Sequence, residues 1–139
     1  MDHITSLARE HFGITAVRPF QYLVIKRILE EDKKENPHPG MIVTLPTGSG
    51  KSLCFMLPTL VVSGLTIIVY PLLALMSDQV RRFEEAKIPV LCLKGGQSKK
   101  ERKKILSNLA NVRALVTNAE TLANPRVLSA LLHIPISMI

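Results

Sequence analysis

The chain has 139 residues, a length that suits one domain with a single core, and at 47% hydrophobic and 21% charged it is too apolar to stay disordered. Its formal net charge of +7 suits polyanions such as nucleic acid or an anionic membrane face, and also plain solubility. Aromatics make up only 4% and Trp is absent, so a broad base-stacking platform is excluded; Cys54 and Cys92 with the scattered His3, His11, His38 and His133 have no zinc-ligand spacing.

The start, "MDHITSLARE", lacks the basic end and apolar core of a signal peptide. Helical periodicity covers 5–11 and then 19–31, where Pro19 suits a first helical turn. "EDKKENPHPG" (31–40) reads as a polar, Pro-rich loop. "MIVTL" (41–45) reads as a short buried strand that Pro46 ends, and "PTGSG" as a turn. The pattern then alternates: helix 50–63, a stop at Gly64, strand 65–70, helix 72–86, strand 90–93, helix 99–110, strand 114–117, a short helix near 125–132, and a last apolar run, "IPISMI". Ser98 followed by Glu101 is a capping box that fixes the start of the 99–110 helix.

Between Lys51 and Asp78 there is no charge, a length that imitates a membrane span. Pro58, Gly64 and Pro71 divide it, however, and strands covered on both faces of a parallel sheet also read as unbroken apolar runs. The expectation is no membrane segment and a cytoplasmic chain with reduced thiols. Strand–helix alternation gives an α/β domain with a mostly parallel sheet flanked by helices. It is expected as one domain over 1–139, with N-terminal helices over 1–39 and the turn and sheet over 40–139.

"TLPTGSGKSLCFMLP" (44–58) carries the chemistry. A Gly-rich turn between a strand and a helix aims backbone N–H groups at one point, and the helix N-terminus adds its partial positive charge. Gly48 and Gly50 let the backbone turn tightly and approach phosphate oxygens. Lys51 can reach β- and γ-phosphates as a point charge, and the Ser52 hydroxyl can ligate Mg²⁺. The usual motif begins with Gly where this chain has Leu45. The donors nevertheless come from residues 48 to 52, so the departure leaves the physics intact.

These residues resemble the first helicase motif of the RecQ family of superfamily-two DNA helicases, in which Leu or Met before Pro-Thr-Gly is ordinary. Three further stretches match in order. "FGITAVRPFQ" (12–21) resembles the adenine-reading motif, "YPLLALMSDQV" (70–80) a segment that touches single-stranded DNA, and "ALVTNAETL" (114–122) the next strand tip. The resemblance implies a RecA-like P-loop NTPase fold and an ATP- and Mg²⁺-dependent 3′-to-5′ DNA helicase of DNA repair and recombination. It implies nucleotide contacts from Arg18, Gln21, Thr47, Gly48, Ser49, Gly50, Lys51 and Ser52, with Lys51 catalytic and Ser52 toward Mg²⁺. It implies DNA contacts from Pro71, Leu72, Gln79, Lys94, Gly95 and Asn118. An amide such as Gln21 can accept from the adenine N6 amine while donating to N7. Where the family often stacks an aromatic, this chain has Ile14. In helix 72–86, Leu72, Leu75 and Met76 are also expected to pack on the sheet.

"KGGQSKKERKK" (94–104) sets six cations against one acid, Glu101. Such a run is ordinarily a solvated helix face. Cations in a first helical turn nevertheless oppose the helix dipole, which an anionic partner would offset. The three Asp residues, Asp2, Asp32 and Asp78, are in a tail, a loop and a helix, so none is expected to ligate Mg²⁺ from a strand tip. In the resembled family an Asp-Glu-Ala-His box follows the strand that "IPISMI" would begin. The chain is therefore expected to be an N-terminal piece of such an enzyme, inactive alone. The alternatives are a small P-loop kinase, for which no Asp-Gly acceptor motif is found, and a non-catalytic nucleic-acid-binding remnant.

Overall fold

A computed structural model describes residues 2–139. The chain divides into two compact units, with the boundary between Val62 and Ser63.

The first unit holds three helices among the described residues. In α1 (His3–Phe12), the Asp2 carboxylate caps the start, accepting from the N–H groups of Ile4 (3.0 Å) and Thr5 (3.2 Å), and Gly13 at φ 64° closes the end. α2 (Pro19–Asp32) begins with proline in its first turn, and α3 (Lys51–Thr59) follows the glycine turn. Ile4, Ala8, Ile25, Leu53 and Leu57 form the core of this unit. Ile14 packs against it as well, so the position where the resembled family often has an aromatic serves the core here.

Residues 41–45 are not a strand. Met41, Ile42 and Val43 are exposed, Ile42 at 96%. An apolar run becomes a strand only where a neighbouring edge takes its N–H and C=O groups, and among the described residues no strand pairs with this segment. α3 is also shorter than the periodicity predicts. It ends one residue after Pro58, and the next N–H, that of Leu60, turns back to Leu57 at 3.1 Å.

The second unit is a four-stranded sheet in the order β2-β3-β1-β4. Its strands are β1 (Leu65–Val69), β2 (Val90–Leu93), β3 (Ala114–Thr117) and β4 (Ile136–Met138). All pairings are parallel. Between β1 and β2 runs α4 (Leu73–Glu85), and between β2 and β3 runs α5 (Lys99–Ser107) with a 3₁₀ turn at Leu109–Asn111. α6 (Ala119–Leu122) and α7 (Pro125–Leu131) link β3 to β4.

The chain steps outward from β1 to β2 and back from β2 to β3. Right-handed crossovers then place α4 and α5 on opposite faces. The core agrees with this. Leu65, Ile67, Leu93 and Leu115 point to the face that carries Leu109, Val127 and Leu131, with Ile105 and Leu106 of α5 packed against it. The unbroken apolar strands of the sequence are thus strands covered on both faces. Among the described residues, no helix is long and apolar enough to cross a membrane.

Candidate functional site

The first unit carries the glycine turn. The Ser49 N–H donates to the Pro46 carbonyl at 3.2 Å, and Gly48 (φ 77°) and Gly50 (φ 80°) take the left-handed conformation. Gly50 is the N-cap of α3 and offers no side chain, so no side-chain oxygen caps the first turn, in which the Leu53 N–H donates to the Gly50 carbonyl at 3.3 Å. That leaves an uncapped helix N-terminus, a geometry that receives anions.

Two residues of the upstream motif hold this turn. The Arg18 guanidinium donates from Nη1 to the Ser49 carbonyl at 3.1 Å. The Gln21 amide donates from Nε2 to the Gly50 carbonyl at 3.0 Å, while its Oε1 accepts from the Arg18 N–H at 2.9 Å. Gln21 is only 5% exposed. A Cβ at Gly50 would stand 2.5 Å from Gln21 Nε2, so the turn needs glycine both for its φ and for this close approach. The sequence expectation gave Gln21 an adenine-reading role only. In the structure it also ties α2 to the turn, a contact across 29 residues of chain that no local pattern reveals.

Lys51 donates from Nζ to the Leu45 carbonyl at 2.9 Å, so its ammonium is held beside the turn by its own loop. Thr47 and Gly48 are exposed. Ser49 is buried, and its Oγ has no hydrogen-bond partner. Ser52 is half-buried in the first turn of α3. For Mg²⁺ the donor set is thin, since Ser52 supplies one hydroxyl and the aspartates are engaged elsewhere. Asp2 caps α1, Asp78 pairs with Arg81 and Arg82, and Asp32 closes α2. Among the described residues no cluster of three metal-ligating side chains occurs.

The second unit gathers a different set. Val69 of β1 and Leu93 of β2 both pair with Thr117 of β3, so the three strand tips lie in register. The Tyr70 N–H donates to the Thr117 carbonyl at 2.9 Å, which carries the link one residue further. Pro71 and Leu72, Asn118, and Lys94 and Gly95 therefore line one edge. After β1 the chain enters α4 on one face, and after β3 it enters α6 and α7 on the other. This divergence is a topological switch point, where open α/β sheets bind ligands.

Individual residues differ from expectation. Gln79 is buried, 4% exposed, and its Oε1 accepts from the Tyr70 hydroxyl at 2.7 Å. In the structure it is a buried support for Tyr70. Burial pushes the Tyr70 hydroxyl pKa up, which keeps it a donor in that bond. Leu72 and Leu75 do not pack on the sheet; they are 60% and 47% exposed. The inward stripe of α4 is Met76, Gln79 and Phe83, which leaves Leu75 off the stripe, and Leu72 is the extended N-cap ahead of the helix. The Asn118 Oδ1 caps α6 by accepting from the Thr121 N–H at 3.1 Å. Lys94 is set by a tight turn in which its N–H donates to Gln97 Oε1 at 3.0 Å and Gln97 Nε2 donates to the Cys92 carbonyl at 3.1 Å. Burial pushes the Cys92 thiol up, with Lys94 opposing the shift.

Residues 18–133 match the family described as DEAD/DEAH box helicase. The chain is 44% identical over 88 residues to "ATP-dependent DNA helicase RecQ" of Synechocystis sp., an alignment covering 62% of this chain and 18% of that protein. It is 34% identical over 130 residues to "Probable ATP-dependent DNA helicase RecS" of Bacillus subtilis, covering 93% and 25%. With "ATP-dependent DNA helicase Q5" of Rattus norvegicus it shares 37% identity over 107 residues, 76% of this chain and 10% of that one. The chain thus spans a quarter or less of these relatives. Among solved structures, a hypothetical ATP-dependent RNA helicase from Sulfolobus tokodaii covers 94% of the chain at TM-score 0.65 and 19% identity, with 38% of that structure covered. The DUF1998 helicase MrfA covers 88% at TM-score 0.63 and 22% identity, with 19% of that structure covered. Both likenesses establish the helicase fold, which fits the all-parallel sheet flanked by helices.

Proposed function

We propose, on the premise that this chain belongs to the DEAD/DEAH box helicase family, that it forms the ATP-binding and single-strand-contacting region of a RecQ-type, ATP-dependent 3′-to-5′ DNA helicase. The observation that carries the nucleotide reading is the start of α3. An uncapped helix N-terminus follows two left-handed glycines, with the Lys51 ammonium parked on the Leu45 carbonyl beside it. A triphosphate tail arriving there takes the first-turn amides. It draws Lys51 Nζ off a neutral carbonyl onto an anionic oxygen, the stronger partner. Arg18 and Gln21 hold the turn in shape, and Gln21, whose amide donates to the Ser49 and Gly50 carbonyls, would read adenine only by releasing one of those bonds. In a loaded site Ser52 would supply one ligand to Mg²⁺. The carboxylates that complete a metal site and orient water are not found beside the turn among the described residues, so this chain is proposed to bind nucleotide without hydrolysing it.

The strand-tip edge is proposed to hold the DNA backbone. Pro71 and Leu72 supply apolar surface, Asn118 and Lys94 supply donors, and Gly95 supplies close approach. The RecQ-type relatives, named as DNA helicases, support this reading, and a role in cytoplasmic DNA repair and recombination is part of the same proposal.

The test of the nucleotide site is Lys51→Ala with a non-hydrolysable ATP analogue, read by calorimetry. Loss of a hydrogen bond from a charged group, about 1.5–3 kcal/mol, weakens binding roughly tenfold to a hundredfold. Equal affinity for both proteins would sink the assignment.

A further inference from the structure

The outward face of α5 belongs to neither site described above. Residues 94–104 hold six cations and one acid, a net +5 of the +7 carried by the whole chain. No residue of α5 is fully buried. Arg102, Ile105 and Leu106 are partly covered and face inward, continuing to the buried Leu109. That spacing turns Lys99, Lys100, Lys103 and Lys104 outward, and all four are exposed. None of the four takes part in an ion pair among the described residues. The one nearby acid is already used, because Glu101 Oε2 accepts from the Ser98 N–H at 2.8 Å while Ser98 Oγ accepts from the Glu101 N–H at 3.1 Å.

This arrangement is unfavourable for an isolated helix. Lys99 and Lys100 stand in the first turn, against the dipole. Lys99 with Lys103, and Lys100 with Lys104, are like charges at the four-residue spacing, each pair destabilising by about 0.2–0.5 kcal/mol. A polyanion lying along the face reverses the sign of all these interactions. Four-residue spacing puts successive lysines about 6 Å apart along the axis, in two adjacent rows.

We infer that Lys99, Lys100, Lys103 and Lys104 form a second nucleic-acid contact, one that grips the backbone of duplex DNA. Duplex is favoured over single strand for two reasons. It carries about one charge per 1.7 Å, the density a compact four-cation patch meets best. Single-strand sites add stacking aromatics, and residues 94–111 contain none. A membrane surface is disfavoured because the outward face has no apolar side chain to insert. The inference deepens the helicase reading by giving the unopened part of the substrate its own surface, and it rests on that reading for the identity of the polyanion.

The experiment compares the full chain with the quadruple variant Lys99→Gln, Lys100→Gln, Lys103→Gln, Lys104→Gln. The probes are a labelled hairpin duplex and a labelled oligo-dT strand, read by fluorescence anisotropy across a salt series. Every phosphate that the variant leaves unneutralised lowers the slope of log affinity against log salt by about 0.9 for duplex, so four of them lower it by roughly 3.6. Duplex affinity falls steeply at low salt, while oligo-dT and ATP-analogue affinities stay within about twofold. The corresponding quadruple Lys→Arg variant keeps the duplex slope, and circular dichroism confirms that both variants fold. An unchanged duplex slope overturns the inference, as does equal loss for duplex and oligo-dT. So does a wild-type preference for anionic vesicles over duplex. A Lys51→Ala protein that loses nucleotide as expected, beside an unchanged duplex slope, sinks this inference alone. A null Lys51→Ala result with the slope change intact sinks the nucleotide reading and leaves the α5 surface standing.

Discussion

The cations of the glycine turn and those of α5 carry the same charge in opposite circumstances. Arg18 and Lys51 are each held by a backbone carbonyl, Arg18 on Ser49 and Lys51 on Leu45. The four lysines of α5 are held by nothing acidic, and they repel one another. α4 shows that the second unit does not simply lack acids. There Asp78 accepts from Arg81 at 2.6 Å and from Arg82 at 3.0 Å, and Arg81 reaches Glu85 at 2.7 Å. The Arg81 hydrogen bond, ahead of the other causes, holds the Asp78 carboxyl below its ordinary value. Charges tied in advance recognise shape, because little rearrangement remains when the ligand arrives. Charges left open recognise charge density, and their grip fades with salt. The two regions should therefore fail differently.

The largest expected effect lies in the turn. Gly50→Ala forces a Cβ into the left-handed region, at about 1–2 kcal/mol, and places it 2.5 Å from Gln21 Nε2. Stability falls by at least that strain, and ATP-analogue binding falls more than tenfold because the amides no longer converge. Gly48→Ala is the control. Its φ of 77° brings similar strain, but nothing lies within 4 Å of the added carbon, so it keeps more of the binding than Gly50→Ala. Thermal melts with calorimetry separate the two, and equal losses would mean that the Gln21 contact is immaterial. Neither variant should alter the salt slope for duplex DNA.

Gln21→Ala comes next. It removes two partly buried hydrogen bonds, to the Gly50 carbonyl and from the Arg18 N–H, each worth about 0.5–1.5 kcal/mol. Affinity should then drop for every nucleoside triphosphate, with any extra loss specific to ATP measuring the adenine contact. A variant with full stability and a loss confined to ATP would show that the tie between α2 and the turn carries no weight.

How far the sequence spoke differs between the regions for a physical reason. The strands 65–69, 90–93 and 114–117 were legible because burial on both faces writes an unbroken apolar run. The Ser98–Glu101 box was legible because capping is local. The glycine turn could be read because its chemistry lies in six consecutive residues. "MIVTL" has the same apolar signature, yet it lies outside the sheet, because a strand needs a partner that its own residues do not name. The burial of Gln79 and the exposure of Leu72 depend on the phase of α4, and a shift of about two residues, roughly half a turn, exchanges the inside for the outside. The tie from Gln21 to Gly50 is tertiary and leaves no local trace.

The smallest expected effect tests whether α5 is as poorly balanced as its charges suggest. Lys99–Ser107 holds five cations and one acid, a net +4, and Glu101 both offsets them and caps the helix. Bonds to the Ser98 N–H and side chain hold its pKa below the ordinary 4.5. A carboxylate with a depressed folded-state pKa contributes stability that is fully present above the unfolded value and lost as pH falls through the folded one. α5 should therefore loosen as pH drops below about 4.5, seen as faster amide exchange in its first turn. The lysines stay charged throughout, so nothing compensates. Ser98→Ala should move the Glu101 midpoint, followed by carboxyl NMR, up toward the ordinary value and widen the pH range over which α5 is loose. A Glu101 midpoint at or above 4.5 in the unaltered chain would mean that the cap contributes nothing, and the contrast between a pre-tied turn and an unbalanced helix would lose its second half.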